Sequence, residues 1–270
     1  MNSLQPQCDI YDETVPEDFK PLREFSIFYQ TAHAPYRFVY YANINSTNDA
    51  AKTVDFPSET VIIADAQHSG RGRHTRDWFS PAGVNISMSV VLKPAPDVLA
   101  AELPLMNIAA SLAVSRALRA ETGLDVWPKW PNDVYIGAKK AGGILSESII
   151  SGSKVIRLVI GIGINVNADV FPSELKDKAT SLFIESGITY GRGQIIASIL
   201  REFDVCRAYA PARVISEWTA MSKTINSYVS IAGQYGIAKV LNEDGTLTIA
   251  LKTGETITVN TGEVTNAPCH

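Results

Sequence analysis

The run Val155–Val166 (VIRLVIGIGINV) constrains the fold most, because Arg157 is its only charge. It falls well short of the roughly 20 apolar residues that a membrane span needs. The chain must therefore bury it, and it reads as a long interior strand. Other segments supply neighbours. Val61–Ala64 is a short β-branched run, and Asn85–Lys93 (NISMSVVLK) alternates apolar and polar residues, a strand pattern that also suits a paired edge. Val126–Trp130 and Val134–Ile136 flank a Pro131-Asn132-Asp133 turn. Glu102–Thr122 places Leu105, Ile108, Ala109, Leu112 and Leu118 on one helical face and stops at Gly123. Gln194–Tyr209 repeats the pattern with Ile195, Ile196, Ile199, Leu200 and Phe203.

Near Ser222 the texture changes. From Tyr228 onward short strands alternate with Gly or Asn turns, as in a small β-barrel or sheet, too small to be stable alone and expected to pack on the larger part. Strands interleaved with helices, then strands alone, give an α+β fold followed by an all-β module. Residues 1–36 are polar, carry Pro6, Pro16, Pro21 and Pro35, and read as a loosely attached extension. The expected division is thus 1–36, 37–222 and 223–270, in keeping with the one or two domains that 270 residues allow.

Charge excludes some functions. The 24 Lys and Arg against 28 Asp and Glu give −4, so a broadly basic nucleic-acid-coating protein is ruled out. Anions must be met by a local cluster. Cys8, Cys206 and Cys269 form neither a metal pattern nor an even disulfide framework, which fits free thiols in a reducing compartment. The histidines His33, His68, His74 and His270 show no ligand spacing. Asp9, Asp12, Glu13, Glu17 and Asp18 precede Lys20, too acidic a start for a transit peptide, and no signal-peptide stretch is present. The cytoplasm is the expected location.

The cluster is Ala66–Gly83 (AQHSGRGRHTRDWFSPAG), where Arg71, Arg73 and Arg76 stand against Asp77 alone. Gly70 and Gly72 let backbone approach a ligand, and arginine forks grip carboxylate or phosphate through paired hydrogen bonds. A solvated basic turn is the plain alternative, and entry into a DNA minor groove a further one. A second segment, Trp127–Ser146 (WPKWPNDVYIGAKKAGGILS), sets Lys129 among tryptophans and prolines, and leads Lys139 and Lys140 into a Gly142-Gly143 turn. With the two short strands paired antiparallel, Asp133 and Lys140 come onto adjacent loops, where a carboxylate suits Mg²⁺ or a proton and an ammonium suits an anion. An ordinary Asn-Asp hairpin would look the same. Ser46-Thr47-Asn48 reads as a helix N-cap whose free amides also suit small polar groups. Gly161–Asn165 (GIGIN) ends the long strand and lacks the third glycine of a dinucleotide fingerprint, so its glycines fit tight sheet packing equally well.

GRGR followed by Trp78, then KWPND (Lys129–Asp133), Lys140-Ala-Gly-Gly143 and GIGIN, in that order, resembles the biotin protein ligases. The resemblance runs from about Tyr40 to Val264, since GIAKVLNEDGTL and TGEV look like that family's C-terminal module. It implies a central mixed sheet flanked by helices, of class II synthetase-like kind, plus a small SH3-like β-barrel. It also implies a two-step reaction. Biotin and ATP, with Mg²⁺, give biotinyl-5′-AMP, and a lysine of a biotin carboxyl carrier domain then takes the biotin.

Carried over by position, Ser46, Thr47, Asn48 and Gln67 would hold biotin's ureido end, and Arg71, Gly72 and Arg73 would close over the biotinyl and phosphate groups. Lys140 would hold the carboxylate and then the adenylate phosphate. Lys129, Asn132, Arg76 and Asn165 would face ATP, Trp78 would pack on adenine, and Asn132 or Asp133 would lie near the metal. Asp133 would also orient or deprotonate the incoming lysine, and Gly142 and Gly143 would leave room for biotin's thiophane and valeryl portions. The sequence departs from the family pattern at Thr75, where the loop usually has Gly, and at His68-Ser69. The first 36 residues are too short and proline-rich for a helix-turn-helix, so the expected form lacks the DNA-binding domain and has no nucleic-acid partner. A homodimer through the Asn85–Lys93 strand is the remaining partner expectation. A lipoate or octanoate ligase keeps this architecture without the GRGR and KWPND pair, and is the main rival.

Overall fold

The computed structural model describes residues 8–9, 15–22, 36–57, 59–73, 76–93, 103–152, 154–231, 233–260, 262 and 265–266. In chain order these form β1 (Cys8–Asp9), a 3-10 turn (Glu17–Phe19), β2 (Arg37–Ile44), α1 (Thr47–Thr53), β3 (Thr60–Gln67), β4 (Ile86–Leu92) and α2 (Leu103–Thr122). Next come β5 (Val126–Lys129), β6 (Asp133–Ile136), β7 (Lys139–Ser151), β8 (Lys154–Ile164), α3 (Leu182–Ser186), α4 (Arg192–Arg207) and α5 (Pro211–Met221). The chain closes with β9 (Tyr228–Ile231), β10 (Gln234–Leu241), β11 (Leu247–Leu251), β12 (Thr256–Val259) and β13 (Thr265–Asn266).

The large sheet runs β1-β2-β3-β4-β8-β7-β6-β5. It is mixed, because β2 and β3 pair in parallel while its other pairs are antiparallel. The apolar run lies in β8, interior to the sheet, and Val159, Ile160 and Ile164 are fully buried. One face carries the main core, where Ile86, Met88 and Val90 meet Ile108, Leu112, Ile196 and Leu200 of α2 and α4. The other face is closed by α1, whose Ala50 and Ala51 pack on Tyr41, Ile62, Val91 and Val159.

β4 corrects one expectation. Its alternation suits an edge, yet it pairs with β3 on one side and β8 on the other. Ser87 and Ser89 on its second face are both buried rather than facing water, Ser89 against Thr47 and Asn48 of α1 and Ser87 against Ser80. The strand therefore offers no free edge for a homodimer. A second correction concerns Gly142 and Gly143, which form no turn. They lie inside the long strand β7, paired with Ile164 and Gly163 of β8. A Cβ at Gly142 would fall 2.6 Å from the Ile164 side chain, so glycine here serves tight strand packing.

The N-terminal extension is also more firmly held than its composition suggests. Val15, Phe19 and Leu22 are buried in the main core, and β1 pairs with β2. Fully burying side chains of this size is worth about 1.5–3 kcal/mol each. Asp18 answers the buried Arg192 through hydrogen bonds from Nε (2.6 Å) and Nη2 (3.1 Å), while Nη1 of the same guanidinium reaches Asp65 at 2.7 Å. The proline-rich pattern hid these anchors, because three apolar residues spread over eight positions show no period.

The second sheet is antiparallel, in the order β12-β11-β10-β9-β13. Its Val229, Ile231, Ala238, Leu247 and Ile249 share the main apolar core. Trp130 joins the two parts, since its indole N–H donates to the Gly245 carbonyl (3.0 Å) and its backbone N–H to Thr224 Oγ1 (3.3 Å). Among the described residues, no helix is long and apolar enough to cross a membrane.

Candidate active site

The parallel register of β2 and β3 sets Ile44 beside Gln67, so α1 begins next to the end of β3. Ser46 caps α1 by accepting from the Asp49 N–H, as the sequence indicated. The next orphan donor, the Thr47 N–H, is taken by Gln67 Oε1 at 2.8 Å, with Thr47 Oγ1 3.2 Å from the same atom. That fixes the Gln67 amide with Nε2 pointing away. Asn48 is held equally firmly. Its Nδ2 donates to the Leu145 carbonyl (3.2 Å) and to Glu147 Oε2 (2.8 Å). Its Oδ1 lies 2.6 Å from Ser89 Oγ, which is also 2.7 Å from Thr47 Oγ1. A Cβ at Gly161 would come within 2.3 Å of Asn48 Oδ1, so this glycine admits the amide. Ser89 and Glu147 escaped the sequence reading. A polar residue inside the apolar run of β4 was the signal for Ser89.

The arginine segment folds back on itself. Trp78 donates its backbone N–H to the Gly70 carbonyl and Gly72 donates to the Arg76 carbonyl, both at 2.8 Å. His74 and Thr75, and with them the departure at Thr75, lie outside the described residues. Arg71 pairs with Asp49 of α1. Arg76 is exposed. Arg73 turns inward and donates to Asn132 Oδ1 at 3.3 Å. Burial pushes its pKa below the usual arginine value and nearby Asp133 opposes that shift, so the group remains a cation that is poorly solvated. The Trp78 indole packs against the strand glycines. A Cβ at Gly163 would fall 2.5 Å from Trp78 Cε2, and one at Gly143 3.5 Å from Cζ3. The indole N–H is buried with no partner among the described residues.

The lysine segment meets it there. A register shift in the β6–β7 pairing leaves Ala141 as an extra residue opposite Val134 and Tyr135, and such bulges re-aim side chains. Lys140 Nζ lies 2.6 Å from Asp133 and 5.7 Å from the centre of the Trp78 ring. Lys129 is buried, opposite Asp133 in register, with Nζ 3.2 Å from Tyr135 Oη and 4.3 Å from that ring's centre. Asn132 Nδ2 donates to the Ile144 carbonyl at 2.8 Å, which leaves its oxygen facing Arg73. Asn165 adjoins the lysine strand, donating its backbone N–H to the Ala141 carbonyl at 2.8 Å. It is buried, its Nδ2 donates to the Thr180 carbonyl (2.9 Å), and its Oδ1 accepts from Asn85 (3.5 Å).

Among the described residues, no three His, Cys, Asp or Glu side chains gather as a metal cluster. A cavity of about 340 Å³ opens between Gln67, Gly70, Trp78 and Ser80. The arrangement therefore has a neutral hydrogen-bonding end at α1 and a cationic end formed by Arg73, Lys140 and Lys129. It can seat a ligand with a polar cyclic head and bring its other end to phosphate.

The profile of the biotin/lipoate A/B protein ligase family matches residues 40–165. The bifunctional ligase/repressor BirA of Bacillus spizizenii is 34% identical over 234 residues, covering 80% of this chain and 70% of its own. The biotin--[acetyl-CoA-carboxylase] ligase of Mycobacterium tuberculosis is 32% identical over 219 residues, covering 76% and 77%. The solved biotin protein ligase of Aquifex aeolicus in complex with biotin and ATP superposes with a TM-score of 0.72 at 28% identity, over 84% of this chain and 97% of that one. With the two motif stretches meeting through Arg73 at Asn132 and Lys140 over Trp78, and with relatives of this closeness, the chain belongs to the biotin protein ligases of the biotin/lipoate A/B protein ligase family.

Proposed function

We infer that this chain is an ATP-dependent biotin protein ligase, which activates biotin as biotinyl-5′-AMP and transfers it to a specific lysine of a biotin carboxyl carrier domain. The observation that carries the reading is the meeting of the two cationic stretches, through Arg73 at Asn132 and through Lys140 over Trp78. A carboxylate approaching a triphosphate meets like charge, at about 4 kcal/mol per unscreened contact near 4 Å and an effective dielectric of 20. Fixed cations offset this repulsion and stabilise the charge that grows on pyrophosphate.

In this reading Ser46, Thr47, Asn48 and Gln67 seat the ureido ring. Lys140 exchanges Asp133 for the biotin carboxylate and then for the adenylate phosphate. Arg71, Gly72 and Arg73 close over the acyl and phosphate groups, while Arg76, Trp78 and Lys129 serve the nucleotide. Trp78 must leave Gly143 and Gly163 for biotin's tail to lie there, and that movement takes it toward adenine. Asn165 acts from behind, by ordering the segment around Thr180. Asp133, freed from Lys140, orients or deprotonates the incoming lysine amine.

One carboxylate and one amide oxygen, Asp133 and Asn132, fit magnesium, which keeps several waters and takes other ligands from substrate phosphates. Those residues would hold it, and when bound it neutralises charge on the departing pyrophosphate. The chain's net charge of −4 supports action without a nucleic-acid partner, and cytoplasmic action is part of the same proposal.

The test is incubation with labelled biotin, ATP, Mg²⁺ and a carrier domain, with free octanoate as competitor. ATP-dependent labelling of the carrier that octanoate leaves unchanged is expected. Octanoylation of the carrier, or no biotin-dependent release of pyrophosphate, would overturn the assignment.

A further inference from the structure

We propose that Glu147 is a positioning residue for biotin, fixing the sense of the Asn48 amide so that the pocket accepts a cyclic urea and rejects a plain acyl chain. The inference rests on the ligase reading but assigns a residue that the reaction does not use. Glu147 Oε2 accepts from Asn48 Nδ2 at 2.8 Å, and the Leu145 carbonyl takes the second N–H at 3.2 Å. Both amide donors are thus satisfied, and a flipped amide would set its oxygen against a carboxylate and a carbonyl. Asn48 Oδ1 accepts from Ser89 Oγ at 2.6 Å and lies over Gly161, and on the ligase reading its second lone pair is the one a ligand N–H would take. Gln67 is oriented in the opposite sense, since Thr47 occupies Oε1 and only Nε2 remains to donate. An acceptor at one side and a donor at the other complement a urea's N–H and C=O. A saturated acyl chain would leave both unpaired, and unpaired buried polar groups are the strongest basis for rejecting a ligand.

Glu147 is itself held in place. Its Oε1 takes Lys52 Nζ at 2.7 Å, and Lys52 lies 3.1 Å from Asp49, the partner of Arg71. The carboxylate is therefore paired with a cation on one oxygen while it accepts from the neutral amide on the other.

The experiment is biotin titration by calorimetry, with steady-state kinetics, on the full chain and its variants. Glu147→Ala is expected to weaken biotin binding about tenfold, the size of one lost hydrogen bond to a charged group. The KM for ATP and kcat at saturating biotin should stay within about twofold, on the same single-contact argument. Glu147→Gln keeps an acceptor for Asn48 while Lys52 retains Asp49, and should recover affinity to within about threefold. Glu147→Asp keeps the charge but withdraws the oxygen from Asn48, so it should resemble Ala; it carries the test if Glu147→Ala does not fold. In an Asn48→Ala background, Glu147→Ala should add no further loss, because the two act as a unit. Additive losses, no recovery with Gln, or an ATP KM that rises in step with biotin's would overturn the proposal. A wild-type chain that fails to bind biotin would sink the ligase reading and this proposal with it.

Discussion

At the α1 end of the site, Ser46, Thr47, Asn48 and Ser89 are each 5% exposed or less; Ser46 caps the helix, and Ser89 ties Thr47 to Asn48 through neutral hydrogen bonds. At the lysine end the groups are ionic and half-open. The side chains of Lys140 and Asp133 are 32% and 23% exposed, and the loop's Arg71, which reaches back to Asp49 of α1, is 39% exposed. The first end is preorganised, so a small polar head meets groups that need not reorder, and such preorganisation is where affinity is gained. At the second end Lys129 is buried at Tyr135 and Arg73 reaches the neutral Asn132 amide, while Lys140 is kept in a part-exposed pair of a kind worth about 0–1 kcal/mol. Exchanging such a partner for a phosphate or carboxylate costs little. A site that must hold one ligand through two steps, while charges appear and leave, gains from having one rigid end and one exchangeable end.

The sharpest break between the ends comes from Lys140→Ala. If Lys140 follows the negative charge through adenylation, its loss should lower biotin-dependent ATP–pyrophosphate exchange by about 10²–10³, the range for removing one transition-state donor. Biotin binding without ATP should change far less, because the ureido contacts remain. An exchange rate within a few-fold of wild type, in a variant that melts normally, would remove Lys140 from the reaction.

Much of this contrast was legible in the residues, and its limits have physical causes. Arg71–Arg76 and Lys129–Lys140 stood out because charge flanked by glycine, proline and tryptophan is locally unusual, and the Ser46 cap followed from a side chain acting on its own helix. What stayed hidden depends on pairing across the chain. Ser89 looked like the wet face of an edge strand, since alternation cannot tell water from the underside of a short helix. Glu147 lies 99 positions from Asn48 and carries no local mark. Gly142 and Gly143 read as a turn because glycine pairs punctuate chains more often than they line strands. The anchoring of Phe19 and Leu22 required Arg192, more than 160 positions away, as counterpart to the adjacent Asp18.

A smaller effect should appear in the loop itself. The described residues of 68–83 fold back through few backbone bonds, and Arg71 and Arg73 reach Asp49 and Asn132 rather than a hydrophobic core. Segments with few buried contacts open locally and are cut first. Biotin plus ATP should slow cleavage within 68–83 by several-fold, read by limited proteolysis and mass mapping, while cutting elsewhere is unchanged. Equal protection by biotin alone would shift the closing role to the ureido end, and unchanged cleavage would show that the segment is not a cover.

The mildest test sets salt against the two ends. Screening shortens the reach of exposed charges from about 10 Å at 0.1 M to about 3 Å at 1 M ionic strength. The cationic end loses attraction for a polyphosphate in that range, so the KM for ATP should rise about two- to threefold. Its own provisional pairs weaken as well, which frees Lys140 and Arg71 and keeps the change small. Biotin's Kd should move by less than half as much, because neutral buried hydrogen bonds are not screened and only its distal carboxylate depends on charge. A biotin affinity as salt-sensitive as that of ATP would mean that the carboxylate, and not the ureido pocket, dominates recognition. The division between a rigid end and an exchangeable end would then have to be redrawn around Lys140.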